Sequence, residues 1–304
     1  MFEGGDLAQL EQLEPSDRGI HARKPPQLRV SLLDGFRLQN GGSTIVLPER
    51  SQRLVAFLAL KVRSVRRPVV AGTLWPAASE PHASSSLRSA LTHLHGAARA
   101  AVEVTAQEIE LANEVTVDLR HARGLARGLL GRDRSTTAAV PEEDAIPVLS
   151  KELLPDWYDD WVLVEAEDWR QLRLHALEAL TGTLLDRRKY ADAAAAALAA
   201  VRAEPLRESP RAALIRVHIA EGNTSEALRE YATYGELLDR ELGIEPTERL
   251  RGLVADLGCF PSRAGRPLSH PSPALHQARS SWSRTSRRRD RSTGSQRDGG
   301  SRNR

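Results

Sequence analysis

At 304 residues, 40% hydrophobic and 27% charged, the chain has the length and apolar content for two globular domains. Its single cysteine, Cys259, excludes an internal disulfide, and no apolar run is long enough to span a bilayer; the polar start Met1–Ile20 lacks a secretory apolar core, so a cytoplasmic location is expected. The formal net charge of +3 hides an asymmetry, because residues 261–304 carry eleven arginines against Asp290 and Asp298, a balance of +9 that leaves −6 for residues 1–260.

Residues 1–26 read as a disordered N-terminus. Leu28–Leu33, Phe36–Leu38 and Thr44–Leu47 then read as a small antiparallel sheet broken at Gly41-Gly42. Leu54, Phe57 and Leu58 give Arg50–Lys61 the pattern of a buried helix. Arg67-Pro68 opens a second helix that reaches Trp75, where Pro76 stops it. After a loop, Ala77–Pro81, a third pattern places Leu87, Leu91, Leu94 and Ala98 on one helical face and Ser85, Arg88, Ser89, Thr92, Gly96 and Arg99 on the other. Val102–Thr105 and Glu108–Leu111 alternate with period two around Ala106-Gln107, and Val115–Asp118 is expected to return as a further strand of this hairpin.

Three helices followed by a tight hairpin is the order of a winged helix-turn-helix, here over residues 27–130, and it points to double-stranded DNA. Arginine on an exposed helix face reads guanine edges, and hydroxyls reach bases or phosphates. Arg88 and Thr92 are therefore the expected base contacts, with Ser85, Ser89 and Arg99 on phosphates, His93 and His95 beside them and Gln107 at the wing tip. On a helix, His93 and His95 would project about 200° apart and share no ligand. The pattern alone leaves equal room for an ordinary α+β domain whose Arg88 and Arg99 are merely solvated.

Leu119–Leu130 reads as a short helix packed back on the winged domain, and residues 131–147 as a linker. Residues 148–260 read as all helical: Glu165–Lys189, Tyr190–Glu204, Pro210–Glu221, Thr224–Leu242 and Thr247–Leu257. Within them Asp192, Ala193, Ala197 and Ala200 fall on Glu226, Ala227, Tyr231 and Tyr234 at an offset of 34 residues, the tetratricopeptide period. Such arrays bind protein segments in a groove; two similar helical hairpins without a groove is the alternative. The carboxylates of Asp156-Trp157-Tyr158-Asp159-Asp160-Trp161 invite a metal, but no glycine-bearing calcium loop is present, and aromatic packing where the linker meets the first helix of residues 148–260 is the better reading. With no phosphate-binding loop, zinc spacing or serine elbow, neither catalysis, cofactor nor metal is expected. Residues 261–304 read as a disordered basic tail, either a nonspecific DNA arm or a segment without selected function.

Several motifs together resemble the Streptomyces antibiotic regulatory protein family, over residues 28–257: Leu54–Leu60, Ala71-Gly72-Thr73-Leu74-Trp75-Pro76, Ser86-Leu87-Arg88-Ser89-Ala90-Leu91, Leu154–Trp161, Leu172–Glu178 and Glu241-Leu242-Gly243-Ile244-Glu245-Pro246. The resemblance implies a mainly α protein, an OmpR-type winged helix followed by an all-α, tetratricopeptide-like bacterial transcriptional activator domain. It also implies a cytoplasmic activator that binds repeated promoter sites, often of secondary-metabolite clusters, and contacts RNA polymerase through the loop Trp75–His82. The repeat domain would carry partner or homodimer contacts. The chain departs from the family where arginine and aromatic residues are usual, reading Leu91-Thr92-His93-Leu94-His95-Gly96-Ala97-Ala98-Arg99, and its wing is acidic at Glu103, Glu108 and Glu110. The alternative is a helical-repeat adaptor whose winged domain binds DNA weakly or not at all.

Overall fold

A computed structural model describes residues 28–131 and 142–257; the N-terminus, residues 132–141 of the expected linker, Cys259 and the basic tail lie outside the described residues. Three antiparallel strands come first: β1 (Leu28–Ser31), β2 (Arg37–Asn40) and β3 (Ser43–Ile45). Gly41 and Gly42 make the β2–β3 turn with φ of 56° and 91°, left-handed values that glycine takes without a Cβ clash. Three helices follow, α1 (Glu49–Leu60), α2 (Arg67–Leu74) and α3 (Glu80–Thr92), with a two-residue strand β4 (Val65–Arg66) before α2. Then come a 3-10 turn (Gly96–Ala101), the hairpin β5 (Val102–Val104) and β6 (Glu108–Leu111), and β7 (Thr116–Val117). Leu54, Phe57 and Leu58 of α1 and Ala83, Leu87 and Ala90 of α3 are buried, the last three at i, i+4 and i+7.

Two expectations are corrected in this half. Residues 116–118 do not return to the hairpin: β7 pairs in parallel with β1 (Arg29↔Thr116, Val30↔Val117). The Asp118 carboxylate fixes that pairing by accepting from the amides of Leu32 (2.9 Å) and Leu33 (3.2 Å). The third strand of the wing is β4 instead, with Val65 opposite Ile109 and Arg66 opposite Glu108. The third helix is also shorter than its apolar period implies. Gly96 has φ 56°, and the amide of Leu94 turns back to Leu91 O (3.1 Å), so Leu94 and Ala98 reach the core from a loop and a 3-10 turn.

The second half holds α4 (Asp118–Leu130), α5 (Glu142–Leu149), α6 (Asp160–Asp186), α7 (Tyr190–Ala203), α8 (Glu208–Glu221), α9 (Thr224–Leu242) and α10 (Glu248–Val254). The expected linker is therefore helical from Glu142, and α5 buries Ala145 and Leu149. Packing of α4 is mainly against α6, with a lesser contact on β1, rather than on the winged half alone. As the 34-residue offset implies, α7 and α9 begin at 190 and 224 and bury the equivalent pairs Ala193/Ala227 and Ala200/Tyr234. Burial raises the pKa of the Tyr234 phenol, which donates to Leu206 O at 2.9 Å.

One hydrophobic core runs from Leu28 through the winged half into α6 and α7, and a smaller one fills α8 to α10. The join between the halves is backbone as well as side chain: Leu33 bridges Leu153, and the amides of Leu154 and Asp34 donate to Leu32 O (3.0 Å) and Glu152 O (2.8 Å). Along α1, Arg53, Phe57 and Lys61 recur at i, i+4 and i+8, one stripe of the helix. Each meets the start of α6 or the residue before it. Arg53 pairs with Asp159 (2.5 Å), the Phe57 ring meets Trp161 edge-on (5.4 Å between centroids), and Lys61 pairs with Glu165 (3.3 Å), which also holds Arg123 (2.8 Å). Trp157 bridges Phe36 and Trp161. The cluster thus packs across onto α1 of the winged half rather than only where the linker meets α6, and Asp159 belongs to an ion pair.

Candidate nucleic-acid interface

The start of α2, the outer face of α3 and the tip of the wing enclose a groove of about 450 Å³. Arg66 lines it from β4, Arg67 and Pro68 from the start of α2, Ser84, Leu87 and Arg88 from α3, and Ala106 and Gln107 from the wing turn. Short-range structure holds these groups in place. Glu80 and Pro81 occupy the first turn of α3, where a carboxylate suits the helix dipole and proline's missing N–H costs nothing. In the wing turn Thr105 Oγ1 accepts from the Glu108 amide (2.9 Å), and the Arg67 amide donates to Gln107 O (2.8 Å). The wing is therefore stitched to α2 rather than free. Three guanidinium groups face one concavity, an arrangement suited to a polyanion.

Of the expected contacts, the structure brings Arg88 and Gln107 together in the groove, and it keeps Ser85, Ser89 and Thr92 on α3 with Arg88. Ser85, Arg88 and Thr92 are exposed, and Ser89 is half-buried. Thr92 Oγ1 donates back to Arg88 O (2.9 Å), so its hydroxyl presents lone pairs outward. Three residues leave the helix on which the sequence placed them. Arg99 lies on the 3-10 turn, donating to Val102 O. His93 and His95 lie beyond α3, where their Nδ1 atoms meet Ser89 O (2.7 Å) and Thr92 O (3.2 Å). Both imidazoles meet carbonyls of the last turn, Ser89 O also accepting from the His93 amide (3.1 Å), and their centroids are 6.5 Å apart. The 200° separation expected for a continuous helix does not apply.

Arg66 and Arg67 are the residues that the sequence reading missed; their only local signal is a basic pair before Pro68. The acidic wing is partly neutralised. Glu108 lies opposite Arg66 and accepts from Ser64 Oγ (2.7 Å), whereas Glu103 and Glu110 sit directly opposite each other without an opposing charge across the ladder. Among the described residues no group of three or more His, Cys, Asp or Glu is placed to hold a metal ion, and no helix is long and apolar enough to cross a membrane.

Residues 117–257 match the family described as the bacterial transcriptional activator domain. The chain carries a bacterial transcriptional activator domain. The match begins at Val117, so α4 to α10 all fall within that domain. A solved structure, Mycobacterium tuberculosis EmbR in complex with a low affinity phosphopeptide, is similar with a TM-score of 0.56 and 20% identity over 76% of this chain. The likeness shows a shared fold, and this chain spans 65% of the length of that one. No curated protein sequence matches the chain. A winged helix followed by this domain is the architecture of a transcriptional regulator of the Streptomyces antibiotic regulatory protein type, the family to which the sequence motifs point.

Proposed function

We propose that this regulator is a sequence-specific, DNA-binding transcriptional activator that acts in the cytoplasm, without catalysis or cofactor. In this reading it occupies repeated promoter sites of a secondary-metabolite gene cluster and contacts RNA polymerase through the loop after α2. The carrying observation is the groove lined together by Arg88 of α3, Gln107 of the wing, and Arg66 and Arg67 where β4 meets α2. Arg88 and Thr92 reach base edges, Ser85 and Ser89 lie against the backbone, and Arg66 and Arg67 neutralise phosphates along the same groove. The activator domain carries partner or homodimer contacts. Gel shifts of the full chain against promoters of its own genomic neighbourhood test this. Arg88→Ala is expected to cost about 1–3 kcal/mol of specific binding. The Arg66→Ala, Arg67→Ala double variant should weaken specific and random DNA alike and reduce the salt slope by about two. An Arg88→Ala protein with unchanged affinity and sequence preference would overturn the assignment.

The second reading, a protein-interaction adaptor with a winged domain of little DNA affinity, draws on the unneutralised pair Glu103 and Glu110 on the wing and on the early end of α3. It is the outcome if the wild-type chain shifts no promoter fragment at low salt.

A further inference from the structure

The helix-turn-helix is held from outside itself. The last carbonyls of any helix lack intrahelical donors, and α2 is a weak helix: eight residues, two of them adjacent valines and one a glycine. Its final carbonyl, Leu74 O, is taken by Arg53 Nη2 at 2.8 Å. The same nitrogen donates to Asp159 Oδ1 at 2.5 Å. Asp159 stands at the N-cap of α6, a position where aspartate ordinarily accepts from the first-turn amides, and here it makes no such bond. Its carboxylate is turned across the junction instead. Arg53 and Asp159 are each only about a quarter exposed, and Arg53 Nε is buried without a partner, so the guanidinium depends on these two acceptors for its place.

We infer that Asp159 of the activator domain is a positioning residue for the helix-turn-helix, acting through Arg53 to cap α2 and so to set the loop Trp75–Ser79 from which α3 begins. The position of α3 against DNA then depends on the register of α6 along α1. A partner that shifts the first turn of α6 shifts the loop with it, with no contact to either helix of the motif. The inference rests on the DNA-binding reading only for its consequence at the promoter, and the geometry is tested without DNA.

The test is hydrogen exchange on the full chain with Asp159→Asn and Asp159→Glu. Asparagine removes the charge but remains a good N-cap for α6, so a merely structural loss would appear in the α6 first turn. The expected result is an increase of about tenfold in exchange at the amides of Trp75 and Ala78, which bond Ala71 O and Trp75 O, with the amides of Val162 and Leu163 unchanged. Glutamate, which keeps the charge, should restore slow exchange. Where wild type shifts promoter DNA, Asp159→Asn should weaken binding several-fold at unchanged salt slope, since no phosphate contact is lost. Unchanged exchange at Trp75 and Ala78, or an equal rise throughout α1 and α6, overturns the inference. Absence of DNA binding by wild type would sink the proposed function alone.

Discussion

Ser51→Ala probes how α3 is fastened to the domain beneath it. Ala90 lies in the last turn of α3, and the amide four residues on, that of Leu94, bonds Leu91 O instead. Ser51 Oγ donates to Ala90 O at 2.8 Å, with Ser51 0% and Ala90 1% exposed. Alanine leaves a buried acceptor without this donor, at a cost of about 1–3 kcal/mol. Its better helix propensity in α1 offsets roughly half a kcal/mol, so the net loss is on the order of 0.5–2.5 kcal/mol. In a cooperative unit of this size each kcal/mol moves Tm by about 2–4 °C, and the midpoint should fall by about 1–10 °C. Ser85→Ala, at an exposed position of α3, changes propensity without touching a buried group and serves as the reference. Guanidinium unfolding of both full-length variants, followed by tryptophan fluorescence, should separate them by about 1–3 kcal/mol at equal m value. If both change stability alike, the hydroxyl is not what holds the end of α3 and the reasoning fails.

Three further outcomes follow from the geometry. A double-mutant cycle on Phe57→Ala and Trp161→Ala should show about 0.5–1.5 kcal/mol of coupling for the edge-on pair, and additive losses would mean that the rings do not interact. Glu103→Lys removes a like-charge pair facing across the wing and should stabilise the protein by about 0.2–1 kcal/mol; if promoter DNA is bound, it should also tighten binding. Hydrogen bonds from Arg170 and then Gln171 hold the Glu167 carboxyl down at about 2. Its folded value lies below the unfolded one, so any stabilisation is present above about pH 4.5 and lost as pH falls toward 2. The group is solvent-exposed and that stabilisation is small, so the check is carboxyl NMR, where Arg170→Ala should return the titration toward the ordinary glutamate range.

Helices with a clean apolar period were legible in the sequence, as was the repeat, because alanine at 193 and 200 and its partners at 227 and 234 keep both spacing and burial, while Tyr231, opposite the buried Ala197, is partly buried. The end of α3 was not. Leu94 and Ala98 continue the period and are buried, yet they reach the core from irregular backbone, and only Gly96 marks the change. Strand pairing was legible only where a short turn imposes it: Gly41-Gly42 joins neighbours, whereas β4 is two residues long and becomes a strand solely by meeting β6. For the same reason half of the candidate groove was missed. Arg66 and Arg67 acquire meaning from the wing that folds across them more than thirty residues later. The composition of residues 142–147 read as linker because α5 is short, ends two residues beyond them at Leu149, and contains Pro147.

The parallel pairing of β1 with β7 sets an order of events during synthesis. Leu32 and Leu33 receive their Asp118 acceptor 86 and 85 residues after they are made, and Leu33 meets Leu153 only after 120. At about 5–20 residues per second, that interval is about 6–24 s of translation. Until β7 is made the first hairpin has an open edge, and until Leu153 is made Leu33 lacks the bridge that joins the halves. The nascent chain therefore cannot finish its DNA-binding half first and its activator half second; β1, made before the other described elements, is among the last to be locked. Exposure to chaperones and to aggregation falls on β1 until β7 covers its edge, and a chain truncated between Leu130 and Leu153 would keep that pairing but lack the join at Leu33.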